Sequence, residues 1–135
     1  MKKITIYFLL LLQSVLFAQT TRPVTGTVVY LGPLSGNVTI SKDSLISIID
    51  KVSVLRTNTT DIKVVSFDIA LNANSTPVTM ASSNNKLTPE MKYYIKMMKP
   101  GNGLYIENVK INTKEKDTSG KFKIIPVPGI NIQVK

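Results

Sequence analysis

After Pro23 the chain is a succession of short apolar segments, each closed off by Gly, Pro, Asn, Ser or Thr. That punctuation confines it to many strands joined by turns. The segments are Thr25–Leu31 (TGTVVYL), Asn37–Ile40 (NVTI), Ile48–Leu55 (IIDKVSVL), Ile62–Leu71 (IKVVSFDIAL), Val78–Ala81 (VTMA), Leu104–Ile111 (LYIENVKI), Phe122–Pro126 (FKIIP) and Gly129–Val134 (GINIQV). In the last, Ile130, Ile132 and Val134 alternate with Asn131, Gln133 and Lys135. In Ile62–Leu71, Val65, Phe67, Ile69 and Leu71 line one face, and Ser66, Asp68 and Ala70 the other. Alternation of this kind marks strands with one buried face. The expected fold is mainly β, an antiparallel β-sandwich-like domain of about seven or eight short strands.

One segment departs from this pattern. Thr88 is a good helix cap and Pro89 fits the first turn, where no N–H is needed. Met91, Tyr94, Ile95 and Met98 then fall at i, i+3, i+4 and i+7, and Pro100-Gly101 ends the run. The spacing predicts a short helix over about Thr88–Met98, with its Met and Tyr residues packed on a sheet. Ser41–Asp50 is two-sided. Ser41 can cap a helix that aligns Leu45, Ile48, Ile49 and Val52, yet Ile48–Leu55 is rich in β-branched residues. A helical turn at Lys42–Leu45 leading into a strand is the expectation.

The first 18 residues have the layout of a secretory leader. Lys2 and Lys3 precede the apolar run Ile4–Leu12, and the small Ala18 precedes Gln19. The expected cleavage is between Ala18 and Gln19, leaving about 117 residues exported to the periplasm or beyond. The run is too short to span a bilayer, which takes about 20 consecutive apolar residues. No Cys follows it, which removes an acylated lipoprotein anchor. Residues 19–35 then form a leader and first strand, and residues 36–135 the main domain.

Loss of Lys2 and Lys3 leaves 15 basic residues against 8 acidic ones, a net +7. Such a charge favours acidic surfaces such as lipid headgroups, lipopolysaccharide or nucleic acid without fixing a fold. The lysines are spread along the chain, as on an ordinary solvated face. One domain is the natural count at this length, and it is large enough to bury a core of its own.

The chain has no Cys, His or Trp. Packing and hydrogen bonds must hold the domain without disulfides, and there is no thiol nucleophile, imidazole base or plausible zinc site. Eight carboxylates remain: Asp43, Asp50, Asp61, Asp68, Glu90, Glu107, Glu115 and Asp117. Acid–base work on glycosides needs two of them about 5 to 10 Å apart across a cleft, and the sequence pairs none of them so. Gly101-Asn102-Gly103 follows a helix instead of leading a strand into one, the wrong order for a phosphate loop. Serines and threonines are plentiful, but only Lys is left as a base for them. The inventory predicts no enzyme, no cofactor and no metal. Asn37-Val38-Thr39, Asn58-Thr59-Thr60 and Asn74-Ser75-Thr76 fit the N-glycosylation pattern, which chance supplies in a chain this rich in Asn, Ser and Thr; they point to surface positions.

In order and spacing, the segments resemble the C-terminal periplasmic domain of the GldM/PorM family, the gliding-motility and type IX secretion proteins of Bacteroidetes. Gly36-Asn37-Val38-Thr39-Ile40-Ser41-Lys42-Asp43-Ser44-Leu45 is similar to the family's glycine-led "I-S-K-x-x-L" element. Lys63-Val64-Val65-Ser66-Phe67 resembles its "f-x-V-x-S-F" strand. Leu87-Thr88-Pro89-Glu90-Met91, Ile95–Gly101 and Tyr105-Ile106-Glu107-Asn108-Val109-Lys110 follow its helix, its "lysine-x-Gly" turn and its "vyIenIka" strand. A polar turn, Asp117-Thr118-Ser119-Gly120, and a closing strand pair complete the match over about Gly36–Lys135.

The resemblance implies architecture first. Lys99, Pro100, Gly101, Tyr105, Glu107 and Asn108 would have structural roles, with partner contact as the other role. The family's membrane helix belongs to a proton-driven motor, and its periplasmic domains carry motion to an outer-membrane-associated ring. Neither the motor nor the stalk is expected here. The implied function is a non-enzymatic interaction module that contacts envelope proteins of the type IX secretion or gliding machinery through a sheet face or an added strand. No nucleic-acid partner is expected, and oligomeric state is left open. The alternative is a basic protein that binds envelope polyanions through its charge.

Overall fold

The computed structural model describes residues 26–73 and 76–135. The leader, with Ala18 and Gln19, and the Asn74-Ser75 pair lie outside the described residues. Eight strands and two helices follow in the order β1 (Val29–Leu31), β2 (Asn37–Ile40), α1 (Lys42–Lys51), β3 (Leu55–Thr57), β4 (Val64–Ala73), β5 (Thr76–Ser82), α2 (Pro89–Lys96), β6 (Gly103–Lys116), β7 (Phe122–Val127) and β8 (Ile130–Val134). The protein is mainly β, as its alternation and turn residues predict.

Six strands form one sheet in the order β2-β8-β6-β4-β5, with β7 also on β6; β1 and β3 form a separate antiparallel ribbon. The long strand β6 organises the sheet. β4 lies along one side of it, while its other side pairs first with β8 through Gly103–Ile106 and then with β7 through Val109–Lys116. β7 and β8 are thus two halves of one broken strand. At the break, a Cβ on Gly129 would sit 1.7 Å from the Ile106 carbonyl oxygen, so only glycine allows the backbones this close. β2 against β8 is the parallel exception to an otherwise antiparallel sheet.

The register sets the core in rows. Val78, Leu71, Leu104, Ile132 and Val38 stand side by side across five strands, and Met80, Ile69, Ile106 and Ile130 form the next row. All join one cluster, buried or packed against it, together with Leu45 and Ile49 of α1, Met91 and Ile95 of α2, Met98, and Val29, Leu31 and Leu55 of the ribbon. Helices and ribbon therefore form a second layer over one face of the sheet. Each buried apolar side chain contributes about 1.5–3 kcal/mol.

Helix α2 starts as expected: the Thr88 hydroxyl oxygen accepts from the Met91 N–H at 3.1 Å, with Pro89 in the first turn. It ends at Lys96, shorter than the apolar stripe, and Met98 is buried just beyond it. The expectation for Ser41–Leu55 needs correction. Helix α1 runs through Ile48 to Lys51, and of the predicted strand Ile48–Leu55 only Leu55 lies in β3. Ser41 caps α1 through the Ser44 N–H, and Leu45 and Ile49, one turn apart, are fully buried. Burial of that stripe outweighs the β preference of isoleucine, which is worth only tenths of a kcal/mol per residue.

A second correction concerns strand parity. Phe67, Ile69 and Leu71 face the core, but their companion is Val64 at 3% exposure, with Val65 only half-buried. Between the pairs Val64↔Ile111 and Ser66↔Lys110, β4 carries one extra residue; between Ser66↔Lys110 and Asp68↔Glu107, β6 carries one. Each bulge shifts which residues point inward, so β6 buries Leu104 and Ile106 and then Val109 and Ile111.

Candidate interaction surface

The outward face of the sheet is covered by nothing among the described residues, and across β2, β8, β6, β4 and β5 its side chains are small or polar, whereas the β7 arm exposes Phe122 and Ile124. Thr79, Ala70, Tyr105, Asn131 and Asn37 form one row across five strands; Ala81, Asp68 and Glu107 form the next. Gln133 and Thr39 flank Gly103 beyond them. Cross-strand amide and hydroxyl contacts hold the row: the Asn131 amide donates to the Asn37 side-chain oxygen at 2.9 Å, and Gln133 Nε2 to the Tyr105 hydroxyl at 3.2 Å.

Tyr105 also protects Gly103. A Cβ at Gly103 would lie 2.7 Å from the Tyr105 hydroxyl oxygen, so the ring lies across the glycine and buries it, though it faces outward. An aromatic side chain laid over a strand glycine restores the packing that glycine lacks.

Beside Tyr105, the β6 bulge aims a polar group across the sheet. Asn108 has φ 50, the left-handed region that Asn tolerates better than most residues. From there its amide donates to the Asp68 carboxylate at 2.8 Å. Asp68 stands opposite Glu107, and the two carboxylates, with Asn108, Thr79, Met80 and Ala81, line a shallow depression of about 390 Å³. Two like charges directly opposed are unfavourable by themselves, and the Asn108 amide offsets part of that. The arrangement offers exposed acceptors to N–H and cationic groups. Among the described residues no group of three or more His, Cys, Asp and Glu side chains is placed to hold a metal, and no helix is long and apolar enough to cross a membrane.

The six residues singled out in the sequence therefore fall into two groups. Tyr105, Glu107 and Asn108 belong to the open face. Lys99, Pro100 and Gly101 form the turn from α2 into β6. The Asn102 N–H donates to the Lys99 carbonyl at 3.0 Å, Gly101 has φ 92, and Asn102 Oδ1 accepts from the Lys99 N–H at 2.8 Å, a type II turn. Gly101 N–H donates to the Val134 carbonyl at 2.7 Å and Val134 N–H to the Asn102 carbonyl at 3.0 Å, which fastens the end of β8. Asp68, Asn37, Asn131 and Gln133 went unremarked as a site, although Asp68, Asn131 and Gln133 stand in the polar half of two alternating segments. Of the possible glycosylation positions, Asn37 and Asn58 are exposed. Asn58 holds β1 in place, accepting from Val28 N–H at 3.0 Å and donating to the Gly26 carbonyl.

No curated protein matches the chain. Residues 25–135, from just before the first described turn to the end of the sheet, match the family model of the GldM C-terminal domain. That match takes in every strand, both helices and the open face described above, and the chain belongs to the GldM C-terminal domain family.

Proposed function

We propose that this protein is an exported, non-enzymatic interaction module of the cell envelope that docks onto a protein of the gliding or type IX secretion machinery through its open sheet face. The observation that carries the reading is the combination of GldM C-terminal domain membership with a sheet face spanning five strands on which small and polar side chains lie in register. A flat sheet surface with fixed amide, hydroxyl and carboxylate groups suits protein contact better than chemistry on a small molecule, because specificity comes from many placed polar groups. Asp68, Asn108, Tyr105 and Glu107 would stand near its centre. Cleavage after Ala18 would deliver the module to the periplasm or beyond.

Cross-linking in the native cell tests this. Tagged protein should be recovered with a component of that machinery, and Asp68→Lys with Glu107→Lys should reduce the yield at least tenfold. Recovery of free monomer alone would sink the proposal.

Attraction to envelope polyanions is favoured by the net positive charge alone. Such binding weakens steeply with salt, because the screening length falls to about 8 Å at physiological ionic strength. The open face carries two carboxylates near its centre, which sets it apart from a polyanion-binding surface. A salt titration of binding to anionic vesicles separates the two readings.

A further inference from the structure

The arm formed by β6 and β7 has a free edge with its own chemistry. Beyond Asn112, among the described residues β6 pairs only with β7, through Lys116↔Phe122. β7 pairs with no other strand among the described residues. The Asn112 N–H donates to the Lys63 carbonyl at 3.1 Å, so the backbone groups of Asn112 point away from β7. In an antiparallel pair, opposed residues then share no hydrogen bond, and the backbone N–H and C=O of the partner Ile124 point out of the sheet. Backbone direction alternates along a strand, so Phe122 shares this orientation, as does Pro126, which has no N–H to offer.

Side chains along this edge alternate as well. Phe122 and Ile124, 52% and 58% exposed, stand on one face, and Lys121 and Lys123 on the other. The arm's own carboxylates are occupied: Glu115 lies 3.7 Å from Lys123, and Asp117 accepts from the Ser119 and Lys121 N–H groups inside the turn. Among the described residues Lys110, Lys116 and Lys121 make no ion pair. The Lys116 ammonium lies 5.7 Å from the centre of the Phe122 ring, on the apolar side.

We propose that the free edge of β7 accepts one extended segment of a partner protein that alternates acidic and apolar residues, its backbone pairing with Ile124 and its carboxylates meeting Lys121 and Lys123. Edge pairing supplies affinity through the main chain, and alternation supplies selectivity. A second copy of this chain fits poorly, since its β7 would bring the same lysines together. Pro126 stops the pairing at one end, which keeps the site short. The inference rests on the interaction reading above and names a second surface for it.

The test is an NMR titration of the protein with an eight-residue peptide alternating Glu and Val. A block peptide of the same composition and an alternating Lys and Val peptide serve as controls. Saturable shifts are expected at the amides of Lys121 to Ile125, with the alternating acidic peptide binding at least tenfold more tightly than either control. Ile124→Pro, which removes an outward N–H, should weaken it at least tenfold, and so should Lys121→Glu with Lys123→Glu, which leaves the backbone intact. Equal binding of the three peptides, shifts elsewhere, or full binding by the lysine variant overturns the proposal. Shifts of the same amides with protein concentration and no peptide would assign the edge to a second copy and overturn it too. If the peptide fails while the machinery component is still cross-linked, the docking reading survives and only this edge is lost; if the peptide binds and no component is recovered, the reverse holds.

Discussion

The Asn108 side-chain amide donates to the Asp68 carboxylate at 2.8 Å from a backbone held at φ 50, so the β6 bulge and the open-face acidic pair form one unit. A side chain that is neither Gly nor Asn costs about 1–2 kcal/mol in this region, and the lost bond adds about 1. Asn108→Ala should therefore destabilise the protein by about 2 kcal/mol, and Asn108→Gly, which loses only the bond, by about 1. Denaturant unfolding of both variants checks the order; equal losses would show that the bulge is not under conformational strain.

Two glycines of the sheet should respond differently to alanine. At Gly129 the added carbon meets the Ile106 backbone oxygen, which has nowhere to go, and the loss should reach or exceed about 3 kcal/mol, the upper part of the overpacking range. At Gly103 it meets the Tyr105 hydroxyl and Gln133 amide, and both side chains can swing outward. Gly103→Ala should cost about 1 kcal/mol, and added to a Tyr105→Ala background it should cost nothing more. Thermal melts of the two single variants and the Gly103 and Tyr105 double variant decide this.

Helix α1 is the element whose type was least legible. Its β-branched residues argue for a strand, and what makes it a helix is the burial of Leu45 and Ile49 in a core shared with Met91 and Ile95 of α2 and with the strands β4 and β6, all later in the chain. That match exists only in three dimensions. By contrast the alternation of Ile130, Ile132 and Val134 and the Thr88-Pro89 start were legible because each signal is local. The open face was half legible: Asn131, Gln133, Asp68 and Ala70 stood out as polar sides of strands, but the sequence does not say that β8 lies beside β2 or that bulges realign β4 and β6. If the account of α1 is right, Ile49→Ala should cost about 2–5 kcal/mol and Ser47→Ala, on the exposed side, less than about 0.5.

Asp117 makes the hairpin turn sensitive to acid. The Ser119 hydroxyl and the Lys121 N–H, both donating to its carboxylate, hold it below its ordinary value of 3.8. Asp61 is held low by the Lys114 ammonium. A carboxyl depressed by folding supports the structure above its unfolded value and loses that support as pH falls through the folded one. Protection of the Ser119 and Lys121 amides, taken relative to their intrinsic exchange rates, should therefore be full above about pH 4 and fall as pH drops below 3.8. Asp117→Asn should remove most of that pH dependence, and an unchanged profile would mean that the turn is held by its backbone bonds alone.

The central claim is that the open sheet face docks a partner in the envelope. The most direct measurement places a photo-cross-linking residue at Thr79 or Asn131 on that face, and at Asp43 or Glu90 on the helices, in the native cell. The account predicts that the two sheet positions capture a component of the gliding or type IX secretion machinery and that the two helix positions do not. Capture of that component from the helix positions alone, or of nothing from any of the four, would contradict it.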